Sequence, residues 1–394
     1  MRAGDRVAIG AALGYLAVLA AKAVLAGVAV RRRRTRLSEA DAAGPASLDE
    51  HGLTVLQPIL SGDPQLESSL EATLLACPGA RILWLVDTDD AEGRRVAETL
   101  AAGHPQCEIE IVDCPPCPPG ASPKAFKLAF AEPRIEREAF AVIDDDTRVS
   151  TAGVAALLDG LRIAEVSTGL PSYEAGPGGW SRLLAEFVND QAVLTYLPTA
   201  AFGSARALNG MTWAMRRSTL DRLGGFGPLV GLLADDLAIA RLVRDSGGRI
   251  DQTEVPQTIS TTVPDGRRYR AMMHRWMMFA TLALRAERPG PRAALVAAYA
   301  LPSMLLATLV GLWVARPSAA KLGAVAAALA LRSGVIVAAQ RAIHGRARHA
   351  PLRSLLAELA MPVQFAVALV DRRIAWRSSR YLVRANDRFE EVGS

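Results

Sequence analysis

Cysteine is almost absent from this chain: Cys77, Cys107, Cys114 and Cys117 are the only four among 394 residues. That excludes a disulfide-stapled secreted scaffold and points to a reducing compartment. Cys114-Pro-Pro-Cys117 has the spacing of a redox or zinc pair, but no second pair and no nearby histidine couple completes a tetrahedral site. The two prolines also remove the N–H donors that lower thiol pKa values in redox motifs. Aromatic residues make up only 5% and do not interleave with the basic ones, so no nucleic-acid partner is expected. Neither sign of charge dominates: 45 Lys and Arg against 40 Asp and Glu leave +5, and the basic residues crowd beside apolar stretches. That distribution suits a membrane surface.

What is plentiful is apolar surface. Hydrophobic residues reach 51%, and the mean hydropathy of +0.18 is high for an ordinary soluble enzyme. Val7 to Val30 is interrupted only by Lys22 and is long enough to span a bilayer. Arg31-Arg32-Arg33-Arg34-Thr35-Arg36 follows it, the reverse of the charge order in a signal peptide. Residues 1–36 therefore read as an anchor with its basic flank inside and its N-terminus outside. Residues 37–50, polar and rich in Ala and Gly, read as a linker.

The apolar character returns in a membrane region over residues 291–371. Ala293–Ala315 and Leu322–Ala339 are candidate spans, the second containing Arg332. Leu355–Val370 is shorter and carries Pro362. Were it to cross, the basic tail of residues 372–394 would lie outside, so a re-entrant or interfacial hairpin is predicted there. The whole reads as a multi-pass membrane protein with a cytoplasmic catalytic domain. The many Ala, Arg and Gly residues suggest a GC-rich bacterial genome and hence the bacterial inner membrane.

Between these regions, short apolar runs alternate with helical periods. Strands are predicted at Leu53–Ile59, Ile82–Val86, Ile109–Val112, Phe140–Ile143 and Glu165–Leu170. Helices are predicted at Leu66–Leu75, Arg94–Leu100, Val154–Ile163, Trp180–Leu197 and Asp235–Ser246. This alternation implies βαβ units and a parallel sheet over a domain of residues 51–265. An interfacial helix over 266–290 follows.

Four groups of residues carry chemistry. Asp87-Thr88-Asp89-Asp90 follows a strand, where a carboxylate accepts hydrogen bonds from a base or ribose. Asp144-Asp145-Asp146 ends the run Phe140–Ile143; such crowded oxygen ligands suit Mg²⁺ or Mn²⁺, although an isolated cluster of this kind is also compatible with a solvated turn. Asp235-Asp236 meets an apolar run at a helix start, where it could equally be a simple cap. His274-Arg275-Trp276 lies in a Met-, Phe- and Arg-rich segment; the Arg suits phosphate oxygens, and a plain amphipathic helix with snorkelling arginine is the alternative. His274 reads as solvated. Asn189-Asp190-Gln191 reads as a polar helical face with a possible place in an acceptor groove. The methionines Met272, Met273, Met277 and Met278 fit either a lipid-facing surface or packing.

In this order, and bracketed by membrane segments, these groups resemble the family 2 type inverting glycosyltransferases, most closely the ceramide glucosyltransferase-like branch. Local strings over residues 53–285 carry the resemblance. Leu53–Ile59 resembles an opening strand that usually reads closer to "VSVLKPLKG", with Gln57 in place of Lys and the loss of its charge contact. Ser122-Pro123-Lys124-Ala125-Phe126-Lys127 is similar to a Pro-Lys stretch in which Lys127 departs from the usual Asn. Asn209-Gly210-Met211-Thr212 resembles the "TGM(S/T)" turn. Asp235-Asp236 stands where the family has Glu-Asp. Arg275-Trp276 matches the end of (Gln/Arg)-x-x-Arg-Trp, with Met272 at its first position, and the tail pair Trp376-Arg377 matches more loosely.

The resemblance implies a GT-A-like, Rossmann-like α/β fold with a mixed sheet, a UDP-sugar donor such as UDP-glucose, a divalent metal (Mg²⁺ or Mn²⁺) and a membrane lipid acceptor such as ceramide. It implies that Asp144 and Asp146 hold the metal. Asp87, Asp89, Lys124, Asp144, Asp145, Arg275 and Trp276 contact the donor, with Arg275 and Trp276 closing over the diphosphate. Asp236 acts as catalytic base. An aspartyl-nucleophile phosphatase fits poorly, because Arg148 occupies its Thr/Val position. A polysaccharide synthase would carry more spans. A degenerate scaffold would not keep all three acidic sites acidic.

Overall fold

The structure, a computed structural model, describes residues 3–44, 48–376 and 379–393, the side chains of Trp376 and Ser379 excepted. Arg377 and residues 45–47 of the expected linker lie outside the described residues. The chain opens with α1 (Ala3–Ala42), β1 (Leu53–Pro58), α2 (Leu66–Ala76), β2 (Arg81–Asp87), α3 (Ala91–Gly103) and β3 (Glu108–Cys114). It continues through α4 (Pro123–Ala131), β4 (Ala139–Ile143), β5 (Thr147–Arg148), α5 (Thr151–Gly160), β6 (Val166–Ala175), α6 (Gly179–Ala200) and β7 (Thr212–Arg216). Then come α7 (Arg217–Leu223), α8 (Asp235–Asp245), β8 (Ile250–Thr261) and α9 (Gly266–Ala286). The rest is α10 (Pro289–Tyr299), α11 (Leu301–Ala315), α12 (Ala319–His344), α13 (Pro351–Val370) and the strands β9 (Arg373–Trp376), β10 (Ser379–Ala385) and β11 (Arg388–Gly393).

Eight strands form one sheet in the order β3-β2-β1-β4-β7-β6-β8-β5. Side chains alternate across it, and both faces are covered. Val55, Ile82, Trp84, Ala141 and Ile143 pack into one core beneath α2, α3 and α5. Leu56, Leu83, Leu85, Phe140 and Val142 pack into the other with α4 and α8. That is why β2 and β4 read as continuous apolar runs. The mixed α/β class, Rossmann-like and GT-A-like, is the one expected from the sequence.

The sheet is not parallel throughout, however. The segment β3-β2-β1-β4 is parallel, whereas β7 runs antiparallel to both β4 and β6. No strand was predicted at β7, which hides behind the Gly-rich turn preceding it, or at β8. The 12 residues of β8 are mostly polar and contain Pro256, a combination that argues against a strand. One of its polar side chains bonds to the sheet itself: Gln252 Nε2 donates to the Gly169 carbonyl at 3.0 Å. The register slips between Thr168 and Leu170, which lets Pro256 pair with Leu170. A Cβ on Gly169 would lie 2.2 Å from Gln257 Cγ, so this close approach requires glycine.

Three helices are long and apolar enough to cross a membrane: α1, α12 and α13, with α10 and α11 forming a fourth candidate bent by 40°. The sequence is that of a membrane protein. Helix α1 does not stop at the basic run; its 40 residues continue through Ala42, into the expected linker. Good helix formers carry it there, and the break comes at Gly44 with φ +94°. Arg33 is buried, and its Nε donates to both carboxylate oxygens of Asp251 at 2.9 and 3.1 Å. The basic flank is thus partly a latch onto β8. Leu355–Val370 is no hairpin: it lies in one continuous helix, α13, with Pro362 inside it. The tail folds into a three-stranded antiparallel sheet of its own, where only a basic tail was predicted.

Candidate active site

The carboxyl ends of β1, β2 and β4 meet at one rim, where ligands of such sheets bind. Helix α4 supplies two lysines to it, one turn apart on the same face. Lys127 Nζ pairs with Asp87 at 2.8 Å and donates to the Ile59 carbonyl at 2.6 Å, tying the ends of β1 and β2 together. Lys124 Nζ lies 2.7 Å from Asp144 and 3.5 Å from Asp235, and donates to the Gly210 carbonyl at 2.9 Å. These carboxylates outweigh the burial that opposes the charge, and Lys124 is held above its ordinary pKa.

The three aspartates after β4 separate into distinct environments. Asp144 pairs with Lys124. Asp145 is buried, and its Oδ2 accepts from the Leu60 N–H at 2.7 Å, which fixes the loop after β1. Asp146 pairs with no basic side chain among the described residues; its Oδ1 accepts from Thr147 Oγ1 at 3.3 Å. Burial, and then the charges of Asp144, Asp145 and Asp63, push it up to about 7.

Asp236 lies across the rim at the first turn of α8. Its Oδ1 accepts from the Leu237 N–H at 2.7 Å. Burial first, and then Asp235, raise it well above the ordinary carboxylate range. Gly210 makes room for it: a Cβ there would stand 3.1 Å from Asp236 Oδ2. The start of α8 is held from an unexpected direction. Asn386, between β10 and β11, accepts from the Ala234 N–H through Oδ1 at 2.7 Å and donates to the Ala234 carbonyl through Nδ2 at 3.1 Å. Its own carbonyl accepts from the Leu233 N–H at 2.9 Å.

The structure brings Asp87, Asp89, Lys124, Asp144, Asp145, Asp146, Asp236, Arg275 and Trp276 to the wall of one cavity of about 2280 Å³. The Trp276 ring is packed within that wall, edge-on to Tyr173 at 6.0 Å and stacked with Phe187 at 6.2 Å, rather than lying free over the cleft. Burial, and then the charge of Asp146, raise the Tyr173 phenol, with Arg275 opposing them. Gln57 faces away from the cavity. It is buried in the core, where it accepts from Trp84 Nε1 at 3.0 Å, so its replacement of Lys removes no contact from the rim. His274 Nε2 meets the Arg373 carbonyl at 3.1 Å instead of standing free in solvent. Met273, Met277 and Met278 are buried and serve packing. Of the polar trio on α6, Gln191 reaches the cavity, while Asp190 is buried against Gln340 and His349. All four cysteines are free.

Residues 15–389 match the profile of glycosyl transferase family 21. The chain belongs to that family. Family 21 membership makes the protein a glycosyltransferase. No curated protein matches the chain. Among solved structures it is similar to a mannosyltransferase from Pyrobaculum calidifontis in complex with GDP-Man and Mn²⁺, at 18% identity and TM-score 0.47, covering 91% of this chain and 98% of that one. It is also similar to S. aureus TarS 1–349 in complex with UDP-GlcNAc, at 10% identity and TM-score 0.37, covering 87% and 98%. A third is glucosyl-3-phosphoglycerate synthase from Mycobacterium tuberculosis with Mn²⁺, UDP and phosphoglyceric acid, at 18% identity and TM-score 0.35, covering 61% and 81%. At these levels the likeness extends to the fold alone. Sequence reading of this family 21 chain missed Lys127 as the partner of Asp87, Tyr173 beside Asp146, and Asn386 behind Asp236. Each pairs with its site through the fold, and no local pattern marks it.

Proposed function

We propose that the protein transfers a sugar from a UDP-sugar to a hydroxyl of a membrane lipid, with inversion. The supporting observation is the extent of the cavity. It reaches from Asp146 and Asp236 to Leu19, Ile336, Met361 and Phe365 on the membrane helices, so a lipid entering between those helices could bring its hydroxyl to the acidic rim. UDP-glucose and ceramide are the donor and acceptor that the sequence resemblance favours; a hopanoid or diacylglycerol offers a hydroxyl at a similar depth.

A hard divalent cation fits the residues present, because Asp146 is a half-buried carboxylate on the cavity wall with no cationic partner among the described residues and lies beside Asp144. Asp144 and Asp146 would hold it through their carboxylate oxygens. When bound, Mg²⁺ or Mn²⁺ would neutralise the charge that builds on the leaving UDP. Asp87, held by Lys127, receives the uridine. Lys124 and Arg275 lie on the phosphate side, and the packed ring of Trp276 walls the cleft against water. Asp236 takes the proton from the acceptor hydroxyl as it attacks the anomeric carbon opposite the leaving diphosphate. One displacement by an incoming hydroxyl inverts that centre.

The test is to incubate purified membranes with a panel of UDP-sugars and lipid acceptors, with and without EDTA, and to identify products by mass spectrometry. A glycolipid that appears only with metal present supports the reading. Full activity in EDTA would remove the metal from it, and the absence of any lipid product across the panel would overturn the acceptor.

A further inference from the structure

The cavity passes through a seam. On the membrane side, Tyr15 and Leu19 of α1 pack with Leu306 and Ile336 of the helix bundle. On the catalytic side, Ala26, Ala29 and Val30 of the same helix pack on Leu170, Val193 and Leu197. Lys22 lies between the two, lines the cavity and is 7% exposed. By helical rise it stands about 13 Å beyond Arg31 toward the bilayer.

Its ammonium group is 4.7 Å from the centre of the Tyr299 ring, and no carboxylate among the described residues comes within ion-pair distance of it. The nearby carboxylate, Glu358, already accepts from Arg332 Nε at 2.7 Å and from Tyr15 Oη at 3.2 Å. Glu358 is therefore already engaged by Arg332. An aromatic face attracts an ammonium group but does not replace its lost hydration, and a buried charge is retained economically only when something of opposite sign meets it.

The surroundings point the same way. Tyr299 Oη donates to the Thr195 carbonyl at 2.7 Å. The next residue, Tyr196, lines the cavity, and its phenol is raised by burial and then by the charge of Asp236. Polar groups thus lead from Lys22 to the base along one wall. The rim has its own basic residues in Lys124 and Arg275, so a donor diphosphate does not need Lys22.

We propose that Lys22, with Tyr299 beside it, is a subsite for the anionic headgroup of a lipid. The inference rests on the lipid-acceptor reading above and departs from the uncharged acceptors named there, favouring lipids that carry a negative charge close to the hydroxyl.

Phosphatidylglycerol and diacylglycerol both offer a free hydroxyl and differ by the phosphate. Binding of each to the full-length protein in detergent micelles, read by native mass spectrometry, tests the subsite without any need for transfer. The wild type is expected to hold phosphatidylglycerol about tenfold or more tightly, the scale of a hydrogen bond to a charged group. Lys22→Met should erase that preference with UDP binding unchanged, and Lys22→Arg should keep it. Equal binding of the two lipids by the wild type overturns the subsite, and this arm needs no variant. An unchanged preference in Lys22→Met overturns it as well. Selective binding of phosphatidylglycerol without its glycosylation leaves the subsite standing and counts instead against the acceptor reading.

Discussion

A carboxyl group half-buried beside a second carboxylate keeps its proton to a higher pH than one in solution, and Asp236 is in that position. Only its ionised form can accept a proton, so kcat/KM should fall as pH drops through the raised value of the folded protein, well above the ordinary carboxylate range. Folding shows the opposite sign. A raised acid stabilises the native state at low pH, and that contribution is lost as pH climbs from the unfolded value of 3.8 toward the folded one. Asp236→Asn should therefore lower kcat by about 10²–10⁴, the range for a general base, leave UDP affinity within a few-fold, and raise Tm more at pH 8 than at pH 5. A pH–rate profile with paired melting curves checks both; unchanged turnover would remove Asp236 from the role. Lys127 gives a second prediction. Its loss in Lys127→Met orphans Asp87, so KM for the UDP-sugar should rise by about tenfold, an ion pair to a buried partner being worth that much, while kcat changes little. Steady-state kinetics separates the two. Asp87, Asp146 and Asp236 were legible in the sequence because carboxylates at strand and helix ends stand out from apolar runs. Lys127 was not, because its partner lies on another strand.

At the scale of elements, legibility followed burial. Strands β1, β2 and β4 are apolar on both faces because helices cover both, and their positions were read to within a residue or two. Strand β8 has Gln and Thr in place of an apolar run, and only the structure shows Gln252 Nε2 bonded to the Gly169 carbonyl within the sheet. The tail sheet was invisible for a related reason: its value lies in what it touches. Asn386 spends both ends of its amide on Ala234, immediately before the helix that carries Asp236. Replacing it with alanine leaves that N–H unpaired, while the carbonyl keeps its bond from the Ala238 N–H, at a cost of about 1–3 kcal/mol. Small displacements of a catalytic group are expensive in rate. Asn386→Ala should therefore lower kcat by about tenfold or more, with KM for the donor nearly constant and the acid limb of the pH profile shifted, since the peptide that sets the position of Asp236 has moved. A kcat equal to wild type would show that α8 holds its place without the tail.

The whole molecule is governed by a constraint of parity. The tail sheet packs Ile374, Tyr381 and Val383 against Leu233, Met278 and Leu282, beside the acidic rim, so the tail and the catalytic domain share one side of the membrane. Between Arg288 and Arg372 the chain must then cross an even number of times. The bent pair α10–α11 and the long α12 supply two crossings, with the turn between them near the N-terminus, where Ser318 Oγ donates to Asp5 at 2.8 Å. Helix α13 is apolar enough to cross but is left with no net crossing to make. It begins near α6, where its Ser354 bonds Asp190, meets Arg332 through Glu358 at 2.7 Å, and ends with Ala368 packed beside Met273 of α9. Both of its ends therefore touch the catalytic side. Single cysteines placed at exposed positions near each terminus, in a chain freed of its native thiols, should label from opposite sides of sealed vesicles. The C-terminal cysteine should react together with one on the exposed surface of the catalytic domain, such as position 98. Labelling of both termini from the same side would mean that α13 crosses, and the docked tail would then have to belong to a different arrangement of the membrane helices.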